Sequence, residues 1–167
     1  MRIETRARAR ALQALYAWEM RSAGSTTGSP SAAQPGSPGK EAAPHAGLGV
    51  DADPRSLVRV ADQVWDDMQV PSDQRRIASA LVSTVARESG AIDAALADVT
   101  TNWRLERLGS IERSVLRLGA AELRRGETPT KVAIQEGVRL AELYGSAQSG
   151  RFVNGVLDAL ARRMGKL

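Results

Sequence analysis

Apolar residues between Trp103 and Leu160 recur at intervals of three and four positions, which is the spacing of one face of an α-helix. Gly126 and Gly145 divide this pattern into three amphipathic segments. The residues that share an inward stripe are Ile111, Val115, Leu118 and, as a further candidate, Glu122, with Leu116 and Leu123 beside them; then Val132, Ile134, Val138, Ala141 and Leu143; and finally Phe152, Val153, Val156, Leu157 and Leu160. We therefore predict three consecutive helices that form a core together.

The part of the chain before Trp103 carries the same periodicity. It predicts helices over residues 4–21, 55–69 and 73–89, with Gly90 as a break before a short helical piece over 92–98. The predicted inward residues of the first two helices are Ile3, Ala7, Ala11, Ala14 or Leu15, and Trp18, followed by Leu57, Val60 or Ala61, Val64, Trp65 and Met68. No stretch alternates apolar and polar residues for long enough to predict a strand, so the fold class is predicted to be all-α.

Residues 23–54 interrupt this helical pattern with a segment rich in Gly, Ser, Pro, Ala and Thr. The segment holds five of the seven prolines and no aromatic residue. Such a composition buries too little apolar surface to offset the entropy of ordering, so we predict a disordered insertion after the first helix. The single histidine, His45, lies inside it with no carboxylate cluster or second imidazole nearby, so no metal site is predicted there.

The composition also narrows the class of protein. The chain has 167 residues, and about 130 remain outside the insertion, which is enough for a helical core without covalent staples. The absence of cysteine excludes disulfides, thiolate metal sites and a cysteine nucleophile. No apolar run has the length of a membrane span, and the first residues alternate Arg with Ala, so we predict a cytoplasmic protein without membrane contact.

The net charge of +4 is concentrated at the two ends of the chain. Residues 1–21 hold five Arg against two Glu, and residues 151–167 hold four Lys or Arg against one Asp, so each end carries +3 and the rest carries −2. If the fold brings these ends together, they form a local site for a polyanion. The alternative interpretation is that these arginines only keep exposed helix faces in solution.

The first helix offers a candidate nucleic-acid surface. Arg2, Arg6 and Arg10 are four residues apart and share one edge, with Gln13 on the same face and Arg8 displaced around the helix. Guanidinium groups at one-turn spacing are able to follow a phosphate backbone. These five residues are therefore candidates for contact with the backbone of a nucleic acid.

Aromatic residues extend this surface at two places. Tyr16 follows the arginine row and is a candidate for stacking on an unpaired base, or alternatively a half-buried core tyrosine. At the predicted start of the last helix, Gln148, Arg151 and Phe152 combine free backbone amides, a positive charge and a ring. Phe152 is alternatively only a core residue. These four residues extend the candidate nucleic-acid surface.

An enzyme is not favoured by any pattern in the chain. Asp66 and Asp67 are adjacent on a helix, so their side chains diverge by about 100 degrees and do not converge on one ligand. Glu112 and Glu122 are assigned to solvated helix faces, and no Gly-rich phosphate loop is present. We predict no catalytic residue, no metal and no cofactor.

Four strings resemble those of a known family in their order and approximate spacing. Glu112–Arg117, Val132–Glu136 and Phe152–Asp158 are similar to motifs of the NusB family of bacterial transcription antitermination factors, and Arg6–Trp18 resembles that family's basic first helix. The resemblance covers roughly residues 4–21 and 73–163 and implies about seven helices in two packed bundles. The long insertion departs from the family pattern, which has a short connection at this place.

The resemblance also implies a function. Family members bind the boxA element of nascent RNA as a heterodimer with NusE, a ribosomal protein, and help RNA polymerase to transcribe ribosomal RNA. It assigns Arg6, Arg8, Tyr16, Gln148, Arg151 and Phe152 to the RNA site. It assigns Glu112 to the contact with NusE, and it implies that each partner raises the other's affinity for RNA. Glu4 and Thr5 stand where the family pattern is richer in arginine, which favours weaker RNA binding, and the alternative is that Arg2 and Arg10 compensate because they lie on the same edge.

Alternative functions remain open at this point. A similar helical domain positions RNA in ribosomal RNA cytosine methyltransferases, but no nucleotide-binding sheet and no cysteine are present here. The protein is alternatively a pure protein-interaction module, for which binding would not depend steeply on salt. Some relatives form homodimers that bury the RNA surface, so a homodimer is also a possible assembly.

Overall fold

A computed structural model describes residues 2–24 and 53–167, and these residues form helices without a strand. The α-helices are α1 (Ile3–Gly24), α2 (Pro54–Asp67), α3 (Ser72–Val99), α4 (Ser110–Arg125), α5 (Thr130–Tyr144) and α6 (Ser149–Arg163), and a 3-10 helix spans Leu105–Arg107. The predicted all-α fold class is confirmed. No helix in the described ranges is both long and apolar enough to cross a membrane.

The described residues contain six α-helices, where about seven were predicted, because α3 is continuous. A break was predicted at Gly90, but the backbone leaves helical geometry only at Glu88, with φ −112° and ψ 18°. A glycine inside a helix costs only about 1 kcal/mol relative to alanine. Burial of Ile92 and Leu96 after the kink is sufficient to continue the helix through it.

Helix α4 lies at the centre of the fold. It packs against α1, α3, α5 and α6, and every residue from Ser114 to Leu123 is buried. Helices α1 and α2 with the first part of α3 form one group, and α4, α5 and α6 form the other. Because α4 contacts both groups, their buried side chains form one hydrophobic core.

Two glycines set the distance between α4, α5 and α6. A Cβ atom on Gly119 would lie 2.7 Å from Leu157 Cδ1, and one on Gly137 would lie 2.8 Å from the same atom. Helix α5 therefore turns its small residues toward α6. The prediction that Val132 and Leu143 point inward was wrong, because they lie off this close-packed face and are 41% and 57% exposed.

The inward residues of α1 and α2 were predicted correctly, with two exceptions at the ends of the predicted helices. Trp18 is buried as expected, whereas Ile3 and Met68 are each about two-fifths exposed. Ala23, Gly24 and Pro54, which were assigned to the insertion, belong to α1 and α2. Asp53, also assigned to the insertion, is the N-cap of α2, and residues 25–52, with His45, lie outside the described residues.

Candidate nucleic-acid interface

The arginine row of α1 lies at the surface because the opposite side of the helix packs through small residues. Ala7, Ala11 and Ala14 are completely buried and bring α1 close to its neighbours. Arg2 and Arg6 are exposed in consequence. Arg10 is half-buried, and its Nη1 donates to Gln13 Oε1 at 3.1 Å, so these two side chains form one polar unit at the continuation of the row.

Tyr16 follows on the outer surface of the same helix. The residue is 41% exposed, so part of its ring is accessible to a ligand. Trp18, two residues later, is 7% exposed, and its indole N–H donates to Ser56 Oγ at 3.0 Å. The helix therefore presents one aromatic ring to solvent and buries the next.

Arg8 has a different environment from the other arginines of α1. Its Nε donates to both carboxylate oxygens of Glu122, at 3.0 and 3.1 Å, and Thr128 Oγ1 donates to the same carboxylate at 2.8 Å. Burial by itself lowers the pKa of Arg8, but the hydrogen bonds and the charge of Glu122 outweigh it and raise that pKa. The guanidinium is therefore engaged inside the protein, and its predicted contact with RNA stays a prediction.

The assignment of Glu122 to a solvated face was wrong, because its side chain is buried at the end of α4. Its membership of the inward stripe is confirmed. A buried carboxylate needs a positive partner, and Arg8 provides it from α1. This pair fixes the amino-terminal half of α1 against α4.

A second buried ion cluster joins the other end of α1 to the start of α4. Arg113 was expected to face outward, but it donates to both carboxylate oxygens of Glu19, at 3.0 and 2.9 Å. Arg117 binds the same carboxylate and donates to Asp93 Oδ1 at 3.0 Å. Burial raises the pKa of Asp93 in spite of the positive charge of Arg117. Sequence reasoning missed this cluster because 94 residues separate Glu19 from Arg113.

The start of α6, with its N-cap Gln148, holds the second group of predicted RNA residues. Gln148 and Arg151 are exposed, and Phe152 is half-buried. The ring of Phe152 meets Trp103 edge to face, with centroids 6.1 Å apart and an angle of 72° between the planes. Trp103, on the turn after α3, is 62% exposed, and sequence reasoning assigned it only to that turn.

Glu112 points toward this loop, whereas an outward orientation was expected. Ser149 Oγ donates a hydrogen bond to Glu112 Oε1, and the backbone N–H of Ser146 donates to Ser149 Oγ at 2.8 Å. Ser149 is 2% exposed, so the hydroxyl that connects the carboxylate with the loop is shielded from water. The predicted partner residue and the predicted RNA loop are therefore in direct contact.

The two groups of predicted RNA residues mark opposite ends of α4. Arg8 of the first group contacts Glu122 near the end of that helix, and Ser149, next to Gln148, contacts Glu112 near its start. Ten residues of α-helix separate these carboxylates by about 15 Å along the axis. The carboxy-terminal Arg162 and Arg163 pair with Asp158 and Asp98, so acidic side chains offset their charge.

The described residues contain no group of three His, Cys, Asp or Glu side chains that is placed to hold a metal ion. The acidic residues of the site are instead engaged in the hydrogen bonds and ion pairs above. The arrangement therefore offers exposed arginine, amide and aromatic groups, which are suited to binding.

Comparison with known proteins gives consistent results. The model of the NusB family matches residues 39–162. The transcription antitermination protein NusB of Sorangium cellulosum is 43% identical over 132 residues, which cover 78% of this chain and 94% of that protein. NusB of Anaeromyxobacter dehalogenans is 49% identical over 85 residues, about half of this chain and 60% of that protein. A crystal structure of the antitermination factors NusB and NusE in complex with dsRNA superposes with a TM-score of 0.70 at 25% identity and 98% coverage of both chains.

Proposed function

The chain belongs to the NusB family, and from this premise we propose that it is a transcription antitermination factor. It binds boxA-type single-stranded RNA together with NusE, and the complex helps RNA polymerase to read through terminators during ribosomal RNA synthesis. The observation that carries this proposal is the exposed arginine row of α1 on a fold that superposes with a chain from a NusB–NusE complex with dsRNA. The protein works in the cytoplasm, and its role is binding without catalysis.

The RNA face of α1 consists of Arg2, Arg6, Arg10, Gln13 and Tyr16. Exposed guanidinium groups neutralise phosphates, and the phenol ring of Tyr16 stacks on an unpaired base. Arg8 supports this face indirectly, because its buried ion pair fixes the orientation of the helix that carries the row.

The second part of the RNA face consists of Gln148 and, in the first turn of α6, Arg151 and Phe152. About 15 Å along α4 separates Glu122, which binds Arg8, from Glu112, which binds Ser149, so the two parts form an extended surface. A single strand therefore runs from the arginine row past Tyr16 toward the loop. This extended path suits unpaired RNA, whose flexible backbone follows a protein surface more easily than a duplex does.

NusE binds at Glu112, and the hydrogen bond from Ser149 connects this contact with the RNA loop. A partner that fixes the Glu112 carboxylate also fixes the loop, so RNA then meets a preorganised surface and loses less conformational entropy. Thermodynamic reciprocity requires that RNA tighten the contact with NusE by the same factor. Glu112 and Ser149 thus provide a physical route for the linked binding that we propose.

The decisive experiment measures binding of a labelled boxA-type RNA, with and without NusE, at two salt concentrations. Arg6→Ala is the test variant, because Arg6 is exposed and its loss leaves the buried ion pairs intact. Arg59→Ala, which removes an exposed arginine from α2, is the matched control. We expect NusE to tighten RNA binding, and Arg6→Ala to weaken it and reduce the slope of log affinity against log salt by about 1.

The competing function is a pure protein-interaction module. It predicts that NusE binds while RNA does not bind in any mixture. Affinity for RNA that is equal at low and high salt, or equal losses for Arg6→Ala and Arg59→Ala, would also count against the proposed RNA face.

A further inference from the structure

Trp103 differs from the other two tryptophans of the chain. Trp18 and Trp65 are 7% and 1% exposed, and each donates its indole N–H to an acceptor inside the protein. Trp103 is 62% exposed, and its indole donates to no acceptor among the described residues. A large ring of this kind at the surface is a candidate contact for a ligand.

The turn holds Trp103 in a defined position. Its backbone N–H donates to Thr100 O at 2.8 Å, and the buried Thr100 in turn donates its hydroxyl to Leu96 O at 2.9 Å. Phe152 contacts it from α6 in an edge-to-face geometry, which leaves at least one face of each ring uncovered by the other. The ring is thus preorganised without being buried.

Trp103 lies at a groove of about 920 Å³ between the turn after α3 and the start of α6. We call it the Trp103 groove, and the residues used below are Trp103, Arg107, Glu112, Ser149, Arg151 and Phe152. Arg107 and Arg151 are exposed and form no ion pair with a described residue. The groove therefore combines a fixed aromatic surface with two available guanidinium groups.

We propose that the Trp103 groove receives an unpaired base of the bound RNA, which stacks on Trp103 while Arg107 and Arg151 contact the flanking phosphates. The proposal rests on the RNA-binding function above and extends its site to a residue of the α3–α4 connection. An aromatic face beside arginines is the combination with which proteins hold single-stranded nucleic acid. A duplex does not offer such a base, because its bases are stacked on each other.

Glu112 is the one carboxylate among the residues that line the groove, and its oxygen accepts a hydrogen bond from Ser149. Its negative charge disfavours a phosphate next to it. The RNA backbone is therefore expected along Arg107 and Arg151, with the base directed toward Trp103. These two arginines favour a phosphate backbone over a basic protein segment, whereas Glu112, the proposed contact of NusE, favours such a segment at its own position.

The test combines RNA affinity with tryptophan fluorescence of the full-length protein. The probe is a boxA-type single-stranded RNA, with a duplex of the same sequence for comparison. Because Trp103 is the exposed tryptophan, stacking of a base on it quenches the accessible part of the emission. We expect quenching by the single strand but not by the duplex, and loss of this quenching in Trp103→Phe.

The substitutions separate stacking from folding. We expect Trp103→Ala to weaken binding of the single strand by about 5- to 150-fold, and Trp103→Phe to retain most of the affinity. Leu143→Ala removes another exposed apolar side chain, on α5, and is expected to leave affinity unchanged. An unchanged melting temperature of Trp103→Ala shows that the ring does not support the fold.

Each other outcome has a defined meaning. If Arg6→Ala weakens RNA binding while Trp103→Ala does not, the proposal for the groove is overturned and the proposed function stands. If NusE, and not RNA, changes the emission of Trp103, the groove is a protein contact and the proposal is again overturned. If the wild type does not bind RNA, the proposed function fails and this inference fails with it.

Discussion

The outer and inner sides of α1 use arginine in opposite ways. On the outer side, Arg2 and Arg6 are exposed to solvent and available to a phosphate backbone. On the inner side, the Arg8 guanidinium is enclosed with Glu122, and Glu19 receives Arg113 and Arg117 from α4. The comparison shows that residue type alone does not identify a binding residue. The direction in which the helix faces its neighbours decides whether an arginine binds a ligand or stabilises the fold.

On the inner side of α1, Glu19 is expected to make the largest contribution to the free energy of unfolding. Glu19→Ala leaves the guanidinium groups of Arg113 and Arg117 without their shared partner in a buried position. Removing one member of a buried ion cluster costs about 3–5 kcal/mol, and we expect a loss of this size in the free energy of unfolding from urea denaturation. Asp67→Ala, an exposed change on α2, is the control, with an expected effect within about 0.5 kcal/mol. Equal effects of the two variants would show that the Glu19 cluster does not hold α1 against α4.

The variants Arg8→Ala and Arg6→Ala compare the inner and the outer side of α1 directly. Arg8→Ala leaves Glu122 buried and without its ion pair, so we expect a loss of about 3 kcal/mol in the free energy of unfolding. Arg6→Ala should change this free energy by less than about 0.5 kcal/mol and instead weaken RNA binding. Chemical denaturation and RNA titration of both variants at a temperature where each is folded provide the test. A stable Arg8→Ala variant with weakened RNA binding would place Arg8 on the RNA side of this division.

Ser149 allows the connection between Glu112 and the start of α6 to be weakened without removing a charge. Ser149→Ala deletes the hydrogen bond to Glu112, together with the bonds between Ser146 and the Ser149 hydroxyl, and does not alter Gln148, Arg151 or Phe152 themselves. We expect the coupling free energy between NusE and RNA binding to decrease; in linked binding this quantity is typically about 1–3 kcal/mol. The affinity for RNA without NusE should change less. Four affinities measure the coupling: RNA with and without NusE, for wild type and variant. Ser110→Ala, at the start of α4 and without a side-chain cap, is the control. An unchanged coupling in Ser149→Ala would exclude this hydrogen bond as the route.

The contrast between the sides of α1 also explains which features the sequence alone predicts. Helical periodicity placed the arginine row and Trp18 correctly, because both follow from the three- and four-residue spacing within one helix. The partners of Arg8 and Glu19 were not predicted, because they are 114 and 94 residues away and no local pattern connects them. The inward face of α5 was misjudged for a related reason. A scheme that looks for large apolar residues overlooks Gly137, although its missing side chain is what admits Leu157.

The smallest expected effect is a dependence of the free energy of unfolding on pH. It comes from Asp93 of α3, which binds Arg117 on the inner side of α1. Burial raises the pKa of Asp93 above its ordinary value, even though Arg117 opposes this. Between the unfolded pKa, about 3.9, and the higher folded pKa, the folded protein binds more protons at this residue than the unfolded chain does. The contribution of Asp93 to stability therefore decreases as pH rises through this window and is most favourable below it. Asparagine does not titrate, so the free energy of unfolding of the wild type should improve relative to Asp93→Asn as pH is lowered from 7 toward 4.

Comparing the two proteins at each pH removes the contributions of carboxylates that both of them share. Asp98→Asn, at an exposed position on the same helix, is the matched control. Urea denaturation at several pH values measures both differences. If the wild type instead loses stability relative to Asp93→Asn on acidification, the pairing with Arg117 outweighs burial. Asp93 would then be held as a charged partner of Arg117.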